Sequence, residues 1–464
     1  SLACDTSSAS QTGKQVCGRG DRCENKMTEI AYPLPAHSEA MEGAPERKKA
    51  LSMGMTAFFL IAQMAGAGFL ALPRALANTG WLGAFMLPLF CFSVGFVGTR
   101  LGRSWVILEE RWPKEYKGRV RQPYKLIAER SMGPVGGRVT QIVVLVKLFG
   151  SSTVHMILIS EMVAAVVQEQ TDFCLTKCHV ILIVGAVLIP LTWLGSPKDL
   201  WQASILAVVA TVVAIVVIVV QIFISEDTFD TPTYPNPTIP SFARGFGSIL
   251  FAFGGMATFP TIQNDMADRS QFWQSVAIGF SGIITLYMPV ALAGYIKIGD
   301  AVSSNIILSV EMTDAVLVAI GMQIINLLCT FLLSSNPVYQ SLEEVFNVRK
   351  GFSPQRCVVR ASVVSMQMLI GLAVPNFGKL LNLIGGSLIT LCTFVLPPVM
   401  YIKLVKDKSD KTWPERSIPL WEKVFLVEAI IVGVVGGVLS TITALYDVIE
   451  VSFTSNCFNS FSEC

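Results

Sequence analysis

Apolar runs too long for any soluble core recur from residue 52 to residue 446, and they constrain this chain more than any other feature. The stretches 52–75, 80–108, 139–167, 179–195, 200–224, 242–263, 272–297, 314–345, 357–374, 380–404 and 420–446 are each dominated by Leu, Ile, Val, Ala, Phe and Gly. A helix needs about 20 apolar residues to cross about 30 Å of hydrocarbon, and only 179–195 sits at the short limit. Backbone groups in lipid have to be bonded within the segment, and runs this long and uniform do not suit barrel strands. The expected fold is therefore all-α and integral to a membrane, with about eleven transmembrane helices. Composition agrees: 52% of residues are hydrophobic and only 15% are charged, with a mean hydropathy of +0.57. A soluble domain carries about a quarter charged residues. The formal net charge of +2 offers no steering toward nucleic acid, and none is expected as a partner.

The distribution of charge sets the expected orientation. Arg47, Lys48 and Lys49 precede the first run, and a cluster from Arg111 to Arg138 follows the second. Further clusters are Arg349, Lys350, Arg356 and Arg360, then Lys403, Lys406, Lys408, Lys411 and Arg416. With eleven spans all of them fall on one face, whereas 225–241 and 447–464 contain no Lys or Arg. The positive-inside rule then places the N-terminus in the cytosol and the C-terminus on the extracellular or lumenal side of a multi-pass protein. Both a plasma membrane and a lysosomal or vesicular membrane remain open. Residues 1–50 read as a disordered cytosolic tail with no apolar stretch of a cleaved signal peptide, 51–447 as the membrane domain, and 448–464 as a short external tail. Cys174, Cys178, Cys457 and Cys464 share the oxidising side, and of their possible pairings a Cys174–Cys178 bridge is expected.

Two spans are interrupted alike. The first contains Gly66-Ala67-Gly68 before Pro73, and the sixth contains Phe253-Gly254-Gly255 before Pro260. In each, a glycine stands five residues before a proline, Gly68 to Pro73 and Gly255 to Pro260. Glycine costs about 1 kcal/mol inside a helix and proline removes a hydrogen bond, so both sites invite unwinding. Bare backbone at membrane depth is tolerated only around a cavity, where it can meet a polar ligand. Matching breaks five spans apart are the pattern of an inverted-repeat carrier rather than of a packing face, since Gly66 and Gly68 do not form GxxxG. Inside the third span, Lys147, His155 and Glu161 stand among apolar residues. At 100° per residue, Glu161 lies about 40° to one side of Lys147 and His155 about 80° to the other, so the three can line one broad face. His155 is a candidate proton-coupling residue; the alternative is a packed polar side chain, with Lys147 and Glu161 reaching opposite interfaces. No zinc spacing, P-loop, GxSxG or paired nucleophile appears, and no enzyme or resident cofactor is expected.

These residues also resemble a known family. GAGFLALPRALANTGW (66–81) resembles the first span of the amino acid/auxin permease family. FGGMATFPTIQNDMADRSQF (253–272) is similar to its sixth-span signature, and PNFGKLLNLIGGSLITLCTFVLPPVMYIKL (375–404) to its ninth loop and tenth span. The resemblance runs over nearly all of residues 50–446. It implies a LeuT-type core of five plus five inverted helices with one extra helix, and secondary active transport of amino acids coupled to protons or sodium. It further implies that the backbone of Gly66, Ala67 and Gly68, with Phe69 beside them, meets the substrate carboxylate. Phe253, Gly254, Gly255 and Met256 would meet its amino group and side chain, with Ser151 and His155 on the third span completing the site. Some proton-coupled members carry a histidine where Phe59 stands here, which leaves the ion open. In sodium-coupled relatives a hydroxyl two before the eighth-span proline holds the ion. Ser335 takes that place beside Ser334, with carbonyls near Ile61 and Met64, although back-bonding at a proline kink explains the serines equally well. The uncharged breaks favour small neutral substrates, unless side chains of spans three and eight alter that. A sensor of the same fold, which binds an amino acid and signals, is the second expectation; a channel is a more distant one.

Overall fold

The computed structural model describes residues 51–116, 120, 122–171, 175–194, 200–225, 231–348, 353–454 and 457–458. The expected tail 1–50 lies outside them. The described residues are helical apart from turns and one isolated parallel bridge between Leu51 and Met266. Among the described residues, nine helices are long and apolar enough to cross a membrane, and the bent pair Met53–Met64 and Gly68–Thr79 supplies one more candidate crossing. The shorter apolar helix Lys177–Leu194 stands where the expected fourth span falls; its 18 residues extend about 27 Å. The fold is thus an all-helical membrane bundle.

Local sequence explains where the spans bend. The first span breaks by 61° between Met64 and Gly68, so Pro73 lies within the second half rather than at the kink. The sixth runs as helix from Ile239 to Ala252, opens into turns and a 3-10 turn, and resumes at Phe259, with Pro260 in the first turn where its missing N–H costs nothing. The third span is longer than expected, Pro123–Gln170, but Gly133 at φ 81° divides it ahead of Pro134. Its leading segment sends the Tyr124 hydroxyl to the Cys392 carbonyl at 2.7 Å. That carbonyl belongs to one of two π-turns, Gly385–Ile389 and Leu391–Val395, that widen the tenth span. The close approach of this span to the sixth needs Gly385, because a Cβ there would sit 2.0 Å from the Gly247 carbonyl oxygen.

Charged pairs pin the ends of the bundle. Arg244 on the sixth span makes a two-pronged bond to Asp447 on the eleventh, at 2.6 and 2.8 Å. Arg100 meets Glu422 at 2.9 Å, and Arg356 and Arg360 share Glu343. At the exit of the sixth span, the hydroxyl and N–H of Ser270 hold the Asp268 carboxyl below the usual carboxylate range. The chain before the first span is tied to that exit by Leu51 N–H to the Asp265 carbonyl, 2.9 Å, and Ala267 N–H to the Leu51 carbonyl, 3.0 Å.

The eleventh helix runs Leu420–Thr454, past the boundary expected at 447. Its apolar side chains Ile431, Val435, Val438 and Ile442 stay exposed, as befits a helix resting against acyl chains. Just beyond it the expected cysteine pairing fails. Cys178 is bonded to Cys457, with Cα atoms 5.5 Å apart, and not to Cys174, which lies outside the described residues. The last helix overruns its expected end and carries Cys457 to the start of the fourth span, within bonding distance of Cys178.

Candidate functional site

The two interruptions lie against each other. A Cβ on Gly68 would stand 2.4 Å from the Cα of Ala252, and one on Gly255 would stand 2.8 Å from the Met64 Cγ. The first-turn N–H groups of the helix that begins at Gly68 have no acceptor behind them, and the helix dipole gives that end a partial positive charge. An anion such as a carboxylate is the group this end accepts.

The bare carbonyls of the first break are held by side chains from three spans. The Ala65 carbonyl accepts the Thr211 hydroxyl at 2.9 Å and the Asn326 amide at 3.1 Å. The Gly66 carbonyl accepts the Gln323 amide at 3.4 Å. Tyr287 sends its hydroxyl to the Met64 carbonyl at 2.7 Å and lies 3.1 Å from the Ala252 carbonyl, so one proton is shared between the two breaks. Thr330 donates to the Asn326 carbonyl one turn back, and Thr258 donates to the Gly255 carbonyl at 2.8 Å. Each of these groups left unpaired in a buried site would cost about 1–3 kcal/mol, so the network holds the unwound chain in shape.

Between the breaks lies a cavity of about 60 Å³, room for about four or five water-sized groups. Gly66, Ala67, Gly68, Gly254, Gly255, Ser151 and His155 all line it. His155 approaches the first break closely: its Nε2 lies 3.5 Å from where a Gly66 Cβ would be. The remaining residues proposed for the substrate point elsewhere. Phe69 is fully buried in the apolar core. Phe253 packs on Phe280 and Tyr287 with ring centroids 6.4 and 5.8 Å away, and Met256 is fully buried beside them in the core. Phe251 takes a place on the wall instead. Of the four ion-coupling residues, Met64 and Ser334 line the cavity. Ile61 does not, and Ser335 is fully buried with its hydroxyl beside that of Tyr339.

The third span divides its ionisable residues. Lys147 and His155 line the cavity with Ser151 between them, one turn from each. Glu161 leaves that face: it accepts the Phe377 N–H at 3.1 Å and lies 4.0 Å from Lys177. The six residues from His155 carry it to the start of the tenth span, where it caps a helix.

Thr211, Tyr287, Gln323, Asn326 and Thr330 had no assigned role in the sequence. A signal existed for three of them, because Gln323, Asn326 and Thr330 repeat at helical spacing inside an apolar span. Tyr287 and Thr211 stand alone among apolar neighbours, and nothing in their spacing marks them.

Two interrupted spans meeting around a small cavity inside an all-helical bundle define a membrane carrier of the inverted-repeat kind. Sequence comparison gives the family: the profile of the transmembrane amino acid transporter protein family matches residues 49–445, and the chain belongs to that family, one of transporters rather than enzymes. The chain is 26% identical over 402 residues to the amino acid transporter AVT1C of Arabidopsis thaliana, covering 83% of this chain and 68% of that protein. It is 25% identical over 409 residues to the amino acid transporter ANT1 of the same plant, covering 84% and 91%. The crystal structure of MhsT in complex with L-phenylalanine shares the fold, with a TM-score of 0.52 at 10% identity over 86% of this chain and 99% of that one.

Proposed function

We propose that this chain carries small neutral amino acids across a membrane by alternating access, driven by a proton or sodium gradient. The observation that supports this most directly is the cavity between the breaks: it is small, and its glycines bring backbone close to whatever it encloses. The free N–H groups from Ala67 to Phe69 would take the substrate carboxylate, and carbonyls around Phe251 to Gly255 its ammonium group. At about 60 Å³, the cavity suits alanine or serine better than a large side chain.

Alternating access would follow from the differing attachments of the two halves. The broken spans rest on one another through Gly68 and Ala252, whereas polar hooks from spans five and eight hold only the first break. Rocking of spans one, two, six and seven against the rest would open the cavity to each side in turn. From the loop charges, the N-terminus is proposed to face the cytosol and the C-terminus the outside or a lumen. A sensor of the same fold is the second reading, separated from the first by binding without net flux.

The test is uptake of labelled alanine, serine and the other standard amino acids into vesicles holding the purified full chain, with pH and sodium gradients varied separately. Accumulation of small neutral amino acids under either gradient is the expected result. Binding with no accumulation under any gradient would replace the carrier with the sensor.

A further inference from the structure

The resemblance to sodium-coupled carriers implies a cation site built from carbonyls near Ile61 and Met64 and from Ser334 and Ser335, and these residues do not fit a sodium ion. The Met64 carbonyl already accepts the Gly66 N–H at 2.8 Å and the Tyr287 hydroxyl at 2.7 Å. The Ile61 carbonyl accepts the Ala65 N–H at 2.7 Å, and Ile61 stays off the cavity wall. Ser335 is buried off the cavity wall, which leaves Ser334 as the one proposed ligand with a hydroxyl on the wall. A bare alkali cation needs a shell of several oxygens, and this set does not supply one.

A cation is nevertheless built into the same wall. Lys147 is buried and lines the cavity together with Met64, Ser334 and Pro337. No Asp or Glu lines that cavity, and among the described residues Lys147 has no hydrogen-bond or salt-bridge acceptor. The other ionisable groups that face it are the His155 imidazole, from the same helix, and the Cys392 thiol, from the tenth span. Neither supplies a fixed negative charge.

We propose that the Lys147 ammonium is a tethered cation standing where a dissociable sodium ion was expected, so that this carrier works without sodium. The inference rests on the transport reading above and narrows its driving ion. Two unit charges about 6 Å apart at an effective dielectric of about 20 repel enough to weaken sodium binding on the order of a hundredfold. The tethered charge has a further consequence: it cannot leave with the substrate, so it contributes no ion flux of its own.

The experiment uses the purified full chain in vesicles and in detergent. Alanine uptake under a fixed pH gradient is compared in sodium chloride and in choline chloride of equal concentration, and thermal unfolding is followed in the same two salts. For the wild-type chain, uptake should change by less than about twofold between salts, with no sodium-specific shift in the midpoint of unfolding. Lys147→Met removes the charge and should gain a sodium-specific rise in midpoint, while Lys147→Arg keeps the charge and should stay indifferent to sodium. A wild-type uptake that falls tenfold or more in choline overturns the proposal. So does uptake confined to aspartate and glutamate and lost in Lys147→Met, which would make Lys147 the counter-ion of an acidic substrate. Should Lys147→Met fail to fold, the wild-type comparison still decides. Failure of the transport reading looks different: no amino acid accumulates under any gradient, while the thermal comparison still reports on sodium.

Discussion

The first and sixth spans carry almost the same interruption in sequence, and the protein holds the two by different means. The first break bends its helix by 61°, and its carbonyls are gripped by Thr211, Gln323 and Asn326, which reach in from spans five and eight. The sixth keeps closer to its axis. It is steadied by its own Thr258 hydroxyl and by the packing of Phe253 on Phe280 and Tyr287. One break is therefore fastened to the surrounding scaffold, and the other is largely self-supporting. Among the described residues, only Tyr287 touches carbonyls of both. A motif that reads alike twice can thus be held by the scaffold in one span and by its own helix in the other.

This contrast can be broken most sharply at the glycines. In Gly68→Ala the new Cβ would meet the Ala252 backbone at 2.4 Å, which cannot yield without parting the two breaks. Overpacking of this kind costs about 1–3 kcal/mol or more, and uptake in vesicles should fall on the order of a hundredfold with insertion retained. In Gly255→Ala the obstacle at 2.8 Å is the flexible Met64 side chain, and uptake should stay within about fivefold of wild type. Equal loss in both variants would end the distinction.

Next in size is Asn326→Leu, which strips one donor from the Ala65 carbonyl and another from the Thr211 hydroxyl. Thermal unfolding in detergent should show a loss of about 2 kcal/mol, with uptake reduced. Tyr287→Phe keeps the ring and removes the shared proton, and should cost about 1 kcal/mol while weakening uptake. The smallest effect is expected from Thr258→Val, about 0.5 kcal/mol, since this bond is local to one helix end. A Thr258→Val loss larger than that of Asn326→Leu would reverse the assignment of anchored and self-supporting halves.

Fold and breaks were legible in the sequence because both rest on local chemistry. Apolar length requires a span, and Gly with Pro weakens a helix wherever it stands. Which face of a break looks into the cavity is a different matter, since it depends on how two helices rotate against each other. Phe69, Phe253 and Met256 lie within the motifs yet turn into the core, while Gly254 and Gly255 beside them reach the wall. The same limit hid Glu161, which shares a helix with Lys147 and His155 but caps the tenth span. Polar anchors such as Tyr287 were illegible for a plainer reason: their partners are backbone carbonyls more than 30 residues away, and carbonyls carry no sequence signature. Ser335 shows the reverse case, where a fitting residue type at a fitting interval is buried off the cavity wall.

The bond between Cys178 and Cys457 spans 279 positions and reaches from the threshold of the fourth crossing to the end of the eleventh. Two sulfurs can join only within one compartment, so the chain between them must traverse the bilayer an even number of times. The bond thereby acts as a parity check on the topology, and any arrangement that loses or gains a single crossing in that interval is ruled out by covalent chemistry alone. A reductant unable to permeate lipid, added to one face of sealed vesicles, would open the link from that side only and so reveal which compartment holds it.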